Sequence, residues 1–203
     1  MTITVPFILA SQSPRRRDLL DHVGVEFATR VSPAEEVVPP NTPPTDVVQK
    51  LAQQKATPVA REHPDALTLA ADTVVVHDGT ILGKPTDAAD ARSMLRRLHG
   101  TTHAVSTGIA LHHPATDRRV TAVETTRVAF GRLTNAEIDA YVATGSPLDK
   151  AGAYGIQDHT APLFIDGIDG DYYTVVGLPL RRLYRTLHTT FGDVVASVDT
   201  PER

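Results

Sequence analysis

The chain has 203 residues, a formal net charge of −4 with its histidines neutral, and neither cysteine nor tryptophan. That length supports one domain or two small lobes around a core that needs no covalent staples, and the missing cysteines exclude a disulfide framework, a thiolate metal site and a cysteine nucleophile. The acidic balance and 5% aromatic content argue against a nucleic-acid-binding face, and the sequence supports neither a signal peptide nor a membrane span, so a soluble cytoplasmic protein is expected.

In chain order, the apolar run PFILA reads as a strand, after which Ser13 suits an N-cap, Pro14 a first helical turn and Leu19-Leu20 the start of an apolar face. The first turn carries Arg15, Arg16 and Arg17. A cation beside the positive end of a helix dipole costs roughly 0.3–1 kcal/mol. Two arrangements relieve the conflict. The arginines can turn to solvent and pair with Asp18 and Asp21. Alternatively, with the helix amides and the hydroxyls of Ser11 and Ser13, they surround an anion such as a polyphosphate.

From Thr45 to Glu62 the periodicity is helical, with Val47, Leu51 and Val59 at four-residue intervals around Lys55. LTLAADTVVVHDGTILGKP gives two strands joined at Asp78-Gly79, and DAADARSMLRRLHG a helix ending near Gly100. Two longer strands follow around a Pro-Asp loop. TNAEIDAYVATG then reads as a helix with a Thr134/Glu137 capping box and a Gly145 stop. After the glycine-punctuated segment Lys150–Gln157, APLFIDGIDGDYYTVVG is expected to form another hairpin, and LPLRRLYRTLHTTFG a helix with Pro179 in its first turn. The polar tail after Gly192 is expected to fray. Neither GxGxxG nor GxxxxGK[ST] occurs, so the pattern points to an α/β fold with a mixed twisted sheet and flanking helices, not to a doubly wound nucleotide-binding domain.

Several residues sit against their local pattern. Asp72 interrupts an apolar strand and needs a cation, a metal or donors there; a strand-end turn or a simple ion pair would also satisfy it. Counting back from a two-residue Asp78-Gly79 turn places Lys84 opposite Thr73, not Asp72. Glu35 and Glu36 are either solvated loop charges or carboxylates for a hard divalent cation. Lys55 either extends out of its apolar stripe or completes a cationic pocket. Gln157 presents a donor and an acceptor, which suits a nucleobase edge as well as solvent. The nine histidines show no HExxH spacing and no serine lies in a GxSxG elbow, leaving phosphate chemistry as the one these side chains fit.

Four blocks, LASQSPRRRDLL, KLAQQKA, AADTVVVHDGTILGKP, and DKAGAYGIQ followed by GDYYTVVGLPL, together resemble the Maf-type nucleoside triphosphate pyrophosphatases from Phe7 to about Leu180. The resemblance implies a single Maf-type domain over residues 1–203, with two lobes around a cleft as in the inosine triphosphate pyrophosphatases, and a homodimer. It also implies hydrolysis of a nucleoside triphosphate to the monophosphate and pyrophosphate with Mg²⁺ or Mn²⁺. Carried onto matching positions, Asp72 becomes the proton acceptor, Ser11, Arg15, Arg16, Lys55 and Lys84 the polyphosphate ligands, and Glu36 with Asp72 the metal ligands. Thr73 and Gln157 resemble the dTTP/UTP branch, in contrast to a 7-methyl-GTP branch with ADQ and CAGSF-type blocks. The departure is Asp158-His159-Thr160-Ala161, where relatives usually carry Gly-x-Gly. The family's association with septum formation leaves a regulatory nucleotide-binding protein as the alternative of a different class.

Overall fold

The computed structural model describes residues 1–196. Its elements in chain order are β1 (Thr2–Ile3), β2 (Phe7–Ala10), α1 (Pro14–His22), β3 (Ala28–Arg30), α2 (Pro44–Glu62), β4 (Leu67–His77), β5 (Thr80–Leu82), α3 (Ala88–Leu98), β6 (Thr102–His113), β7 (Arg118–Phe130), α4 (Asn135–Ala143), β8 (Ile165–Asp169), α5 (Tyr172–Val176), α6 (Leu180–Thr190) and β9 (Val195–Ala196). Hydrogen bonds order a seven-stranded mixed sheet β3-β2-β4-β6-β7-β8 with β5 paired to β4, and a two-stranded sheet β1-β9. The chain divides into two compact units, one of Met1–Asp72, Gly108–Val123 and the residues from Gly177 onward, the other of Thr73–Thr107 and Glu124–Val176.

In the first unit β2 lies between β3 and β4 and runs parallel to both, with Ile8 opposite Ala28 and Phe7 opposite Leu67. A strand covered on both edges and both faces is apolar throughout, and all four residues of β2 are buried. Parallel neighbours need crossovers, which α1 and α2 supply. Ala52, Ala56 and Val59 of α2 pack on Ile8, Ala10, Ala70 and Ala110, a contact of small side chains that brings the helix close to the strands.

Gly108 of β6 lies tight against the helix, where an added Cβ would stand 2.5 Å from the Val48 carbonyl carbon and 2.7 Å from the Gln49 nitrogen. Helix backbone cannot yield as a flexible side chain does. Gly108→Ala is therefore expected to destabilise the protein by about 1–3 kcal/mol in urea unfolding. Unchanged stability would contradict this approach of α2.

The second unit builds its core from Ala91, Leu95 and Leu98 of α3 and Ile138, Tyr141 and Val142 of α4, packed with Val75, Val105, Val128 and Phe130. Phe130 stands edge-on to Tyr154 at 5.0 Å between ring centroids. The β4-β5 hairpin turns as its sequence predicts, with His77 opposite Thr80 and positive φ at Asp78 (47°) and Gly79 (73°). The Thr134/Glu137 capping box of α4 is complete, and Gly145 just beyond the helix is left-handed.

Three expectations fail. Residues 161–177 form no hairpin: β8 pairs back on β7, Gly170 has a φ of 129°, and Asp171 caps α5 by accepting from the amide and hydroxyl of Thr174. The strand-like run YYTVV is thus helical because a local aspartate captures its first turn. Pro179 is the N-cap of α6 and not part of its first turn. Beyond Gly192 the chain does not fray at once, since Val195 and Ala196 pair with Ile3 and Thr2; the remaining tail, 197–203, lies outside the described residues.

Candidate active site

Period-2 alternation puts Thr68, Ala70 and Asp72 on one face of β4, and Ala70 on that face packs against α2. Lys55 lies on the same stripe of α2 as Ala52, Ala56 and Val59. The lysine on the helix stripe therefore meets the aspartate on the strand face. The Lys55 Nζ stands 2.5 Å from Asp72 Oδ1 and 3.0 Å from Glu36 Oε1, with the Lys55 side chain 18% and that of Asp72 12% exposed. Lys55 does not extend to solvent; it bridges two carboxylates. Burial raises the Asp72 carboxyl above its ordinary range, opposed first by the charge of Lys55, then by its hydrogen bond and by Arg16, while Glu36 adds to the rise.

The β2-β4 register, with Leu9 opposite Leu69, brings Ser11 level with Ala71, so the β2-α1 turn and Asp72 emerge at the same end of the parallel pair. Ligands in open α/β sheets collect at such carboxyl ends. Ser11 is buried, and its Oγ accepts from the Ser13 amide at 3.2 Å and from Arg16 Nη1 at 3.3 Å. Arg16 Nε donates to the Gly177 carbonyl at 2.8 Å. Burial lowers the Arg16 guanidinium from its ordinary value; Asp72 opposes that shift, Arg15 adds to it and Glu36 opposes it, which puts all four residues in one electrostatic neighbourhood. Arg16 is therefore turned inward and Arg17 is exposed. Ser13 occupies the N-cap position without a side-chain cap bond, and no acidic residue stands in the first turn of α1. No carboxylate of the helix's own first turn therefore offsets its positive end, as suits an anion site there.

Adjacent Glu35 and Glu36 separate clearly. Glu36 bonds Lys55, whereas Glu35 lines a groove of about 470 Å³ along α2 with Lys50, Gln53, Thr57 and Arg61. Two carboxylates on one ammonium are a donor set that suits a hard divalent cation completed by phosphate oxygens. Among the described residues no group of three or more His, Cys, Asp or Glu side chains forms a self-contained metal site.

Thr73, Lys84 and Gln157 belong to the second unit. Thr73 Oγ1 lies 2.9 Å from Thr107 Oγ1, and Thr107 spends its own proton on the Thr174 carbonyl, so Thr73 is the donor of that pair. Lys84 is exposed just past β5. Gln157 is also exposed, on the turn that follows left-handed Gly152 and Ala153. A Cβ on Gly152 would come within 2.9–3.0 Å of the Val75 side chain, so this turn requires glycine. Asp158, the first residue of the Asp158-His159-Thr160-Ala161 stretch, is tied to its surroundings by its side chain. Its Oδ2 accepts from Tyr141 Oη at 2.5 Å and from Ser146 Oγ at 2.7 Å, and lies 3.5 Å from Lys150 Nζ.

Two participants escaped sequence reasoning. The Gly177 carbonyl that orients Arg16 is a backbone atom with no side-chain signature. Gln54 bonds both backbone polar atoms of Val37, yet in sequence it is one more polar residue beside Lys55.

Comparison with known proteins adds a separate line of support. A family model described as Maf-like protein matches residues 6–190. The chain is 62% identical over 195 residues to a dTTP/UTP pyrophosphatase of Salinibacter ruber, covering 96% of each chain. It is 52% identical over 181 residues to a dTTP/UTP pyrophosphatase of Bacillus cytotoxicus, covering 89% of this chain and 93% of that one. Among solved structures, the Ham1 protein of Staphylococcus aureus aligns with 62% of this chain and 71% of its own at 12% identity and a TM-score of 0.44.

Proposed function

Since the chain belongs to the Maf-like protein family, we propose that it is a nucleoside triphosphate pyrophosphatase that hydrolyses dTTP and UTP, and modified pyrimidine nucleotides such as 5-methyl-UTP, to the monophosphate and pyrophosphate. The observation that carries the chemistry is the Asp72–Lys55–Glu36 bridge beside inward-turned Arg16. The names of two relatives at 62% and 52% identity support the substrate class.

Water attacks the α-phosphorus, the new P–O bond forms as the α–β bridging bond breaks, and pyrophosphate leaves. Asp72 takes the proton, and its Oδ1 accepts a hydrogen bond from Lys55. A carboxylate made more basic by burial is a better acceptor, provided it stays ionised at working pH, and Lys55 works toward that ionisation. Ser11, Arg15, Arg16, Lys55 and Lys84 bind the polyphosphate and offset charge on the leaving group. Thr73 and Gln157 are the residues assigned to selection of the base. Glu36 and Asp72 would hold Mg²⁺ or Mn²⁺, which supplies charge neutralisation on the phosphate oxygens when bound. Positioning and charge complementarity suffice for such a displacement, so no covalent nucleophile is needed.

No described helix is long and apolar enough to cross a membrane. A cytoplasmic homodimer with a house-cleaning role, linked to septum formation, completes the reading.

The experiment is pyrophosphate release from dTTP, UTP, CTP, GTP, 7-methyl-GTP and 5-methyl-UTP with Mg²⁺ or Mn²⁺ and an EDTA control. Metal-dependent release led by the uracil and thymine nucleotides is expected. Release led by 7-methyl-GTP would overturn the base assignment. Binding without release from any of them would favour a regulatory nucleotide-binding protein.

A further inference from the structure

Residues 31–43, between β3 and α2, carry Glu36 and contain no helix or strand. Little buries this segment: Val31 and Val37 are both 57% exposed, and the Glu36 side chain is 54% exposed. Its local bonds, from the Ala34 amide to Ser32 Oγ and from Thr42 Oγ1 to the Pro39 carbonyl, stay within the segment and fix nothing to the rest of the unit. Apolar packing therefore cannot set where the Glu36 carboxylate sits.

The segment is tied instead at Val37. The Val37 amide donates to Gln54 Oε1 at 3.1 Å, and Gln54 Nε2 donates to the Val37 carbonyl at 2.7 Å. One side-chain amide thus satisfies both backbone groups of one residue, as a neighbouring strand would. Gln54 immediately precedes Lys55 on α2, and Val37 immediately follows Glu36. The two-point bond and the Glu36–Lys55 ion pair accordingly lie side by side across the same helix surface. An ion pair whose carboxylate is more than half exposed is by itself a weak tether, contributing roughly 0–1 kcal/mol, and is further weakened by salt.

We propose that Gln54 is a positioning residue whose amide latches the Val37 backbone to α2, holding Glu36 beside Asp72 and so setting the protein's affinity for a divalent cation. Gln54 has this role only if Glu36 and Asp72 hold the cation, as proposed above. It touches neither substrate nor metal. Releasing the latch should therefore weaken metal binding while sparing turnover once metal is saturating.

The test uses the full chain with Gln54→Ala, Gln54→Glu and Glu36→Gln, and Mn²⁺ alone as the probe. Free Mn²⁺ is counted by electron paramagnetic resonance without nucleotide, exchange of the Val37 amide is followed by NMR, and the Mn²⁺ concentration for half-maximal dTTP turnover is measured. Partners around metal ligands typically change affinity by roughly 10–100-fold, and one acting through a backbone belongs at the lower end. Gln54→Ala should lose Val37 amide protection, weaken Mn²⁺ binding by about tenfold and keep kcat near wild type at saturating Mn²⁺. Gln54→Glu keeps the acceptor for the Val37 amide and loses the donor to its carbonyl, so its affinity should fall between. Lost protection with unchanged Mn²⁺ affinity, or retained protection, would overturn the latch. Equal Mn²⁺ affinity of wild type and Glu36→Gln would remove the metal role of Glu36, and the latch with it; a wild type that releases no pyrophosphate would instead defeat the proposed activity.

Discussion

Asp72→Asn is expected to lower kcat for dTTP hydrolysis by about 10²–10⁴-fold while leaving nucleotide binding close to wild type, because asparagine preserves the shape and the oxygen facing Lys55 but cannot accept a proton. Stability should move the other way. Burial raises the folded-state pKa of Asp72, so its favourable contribution to stability exists at low pH, where the carboxyl is neutral, and is lost as pH rises through that raised value. Above that raised value the wild type carries the cost of a desolvated carboxylate, and Asn does not. Glu36 still pairs with Lys55 in the variant. Calorimetry across a pH series should therefore show the Tm of the variant rising relative to wild type as pH increases, alongside the loss of kcat. A structural aspartate would lose stability and activity together, and near-normal turnover would remove Asp72 from the proton-accepting role.

Lys55→Met should have the next largest effect, a fall of about 10²–10³-fold in kcat/KM, from loss of a cation that meets charge developing on the leaving group. Its pH signature is more specific than its size. Lys55 leads the interactions that hold the Asp72 pKa down against burial, so removing it should shift the acid limb of the pH–rate profile to higher pH. The stability deficit at pH 8 should shrink as pH falls, since a protonated Asp72 needs no cation. An acid limb that stays in place in Lys55→Met would show that another group sets it.

Much of this arrangement is legible in the sequence because it rests on local rules. The Asp78-Gly79 turn fixes the β4-β5 register, and the Thr134/Glu137 box fixes the start of α4, each within a few residues. Asp72 and Lys55 both stand out as charges on apolar patterns. What no local rule supplies is that they meet, because their encounter depends on the parallel β2-β4 register and on a crossover helix laid over alanines. The same limit explains Glu36, whose place comes from Gln54 and Lys55 on an element that begins eight residues later. The failed hairpin at 161–177 has the opposite cause: Tyr and Val favour strands, yet a single aspartate at the start of α5 bonds the Thr174 amide and overrides them.

The most direct test of the account is a single turnover of dTTP in ¹⁸O-labelled water with Mn²⁺, with the label located by mass spectrometry. Attack at the α-phosphorus with Asp72 as base predicts ¹⁸O in the thymidine monophosphate, unlabelled pyrophosphate, and no such products from Asp72→Asn on the same timescale. Label in pyrophosphate or orthophosphate, or unchanged monophosphate labelling by Asp72→Asn, would contradict it.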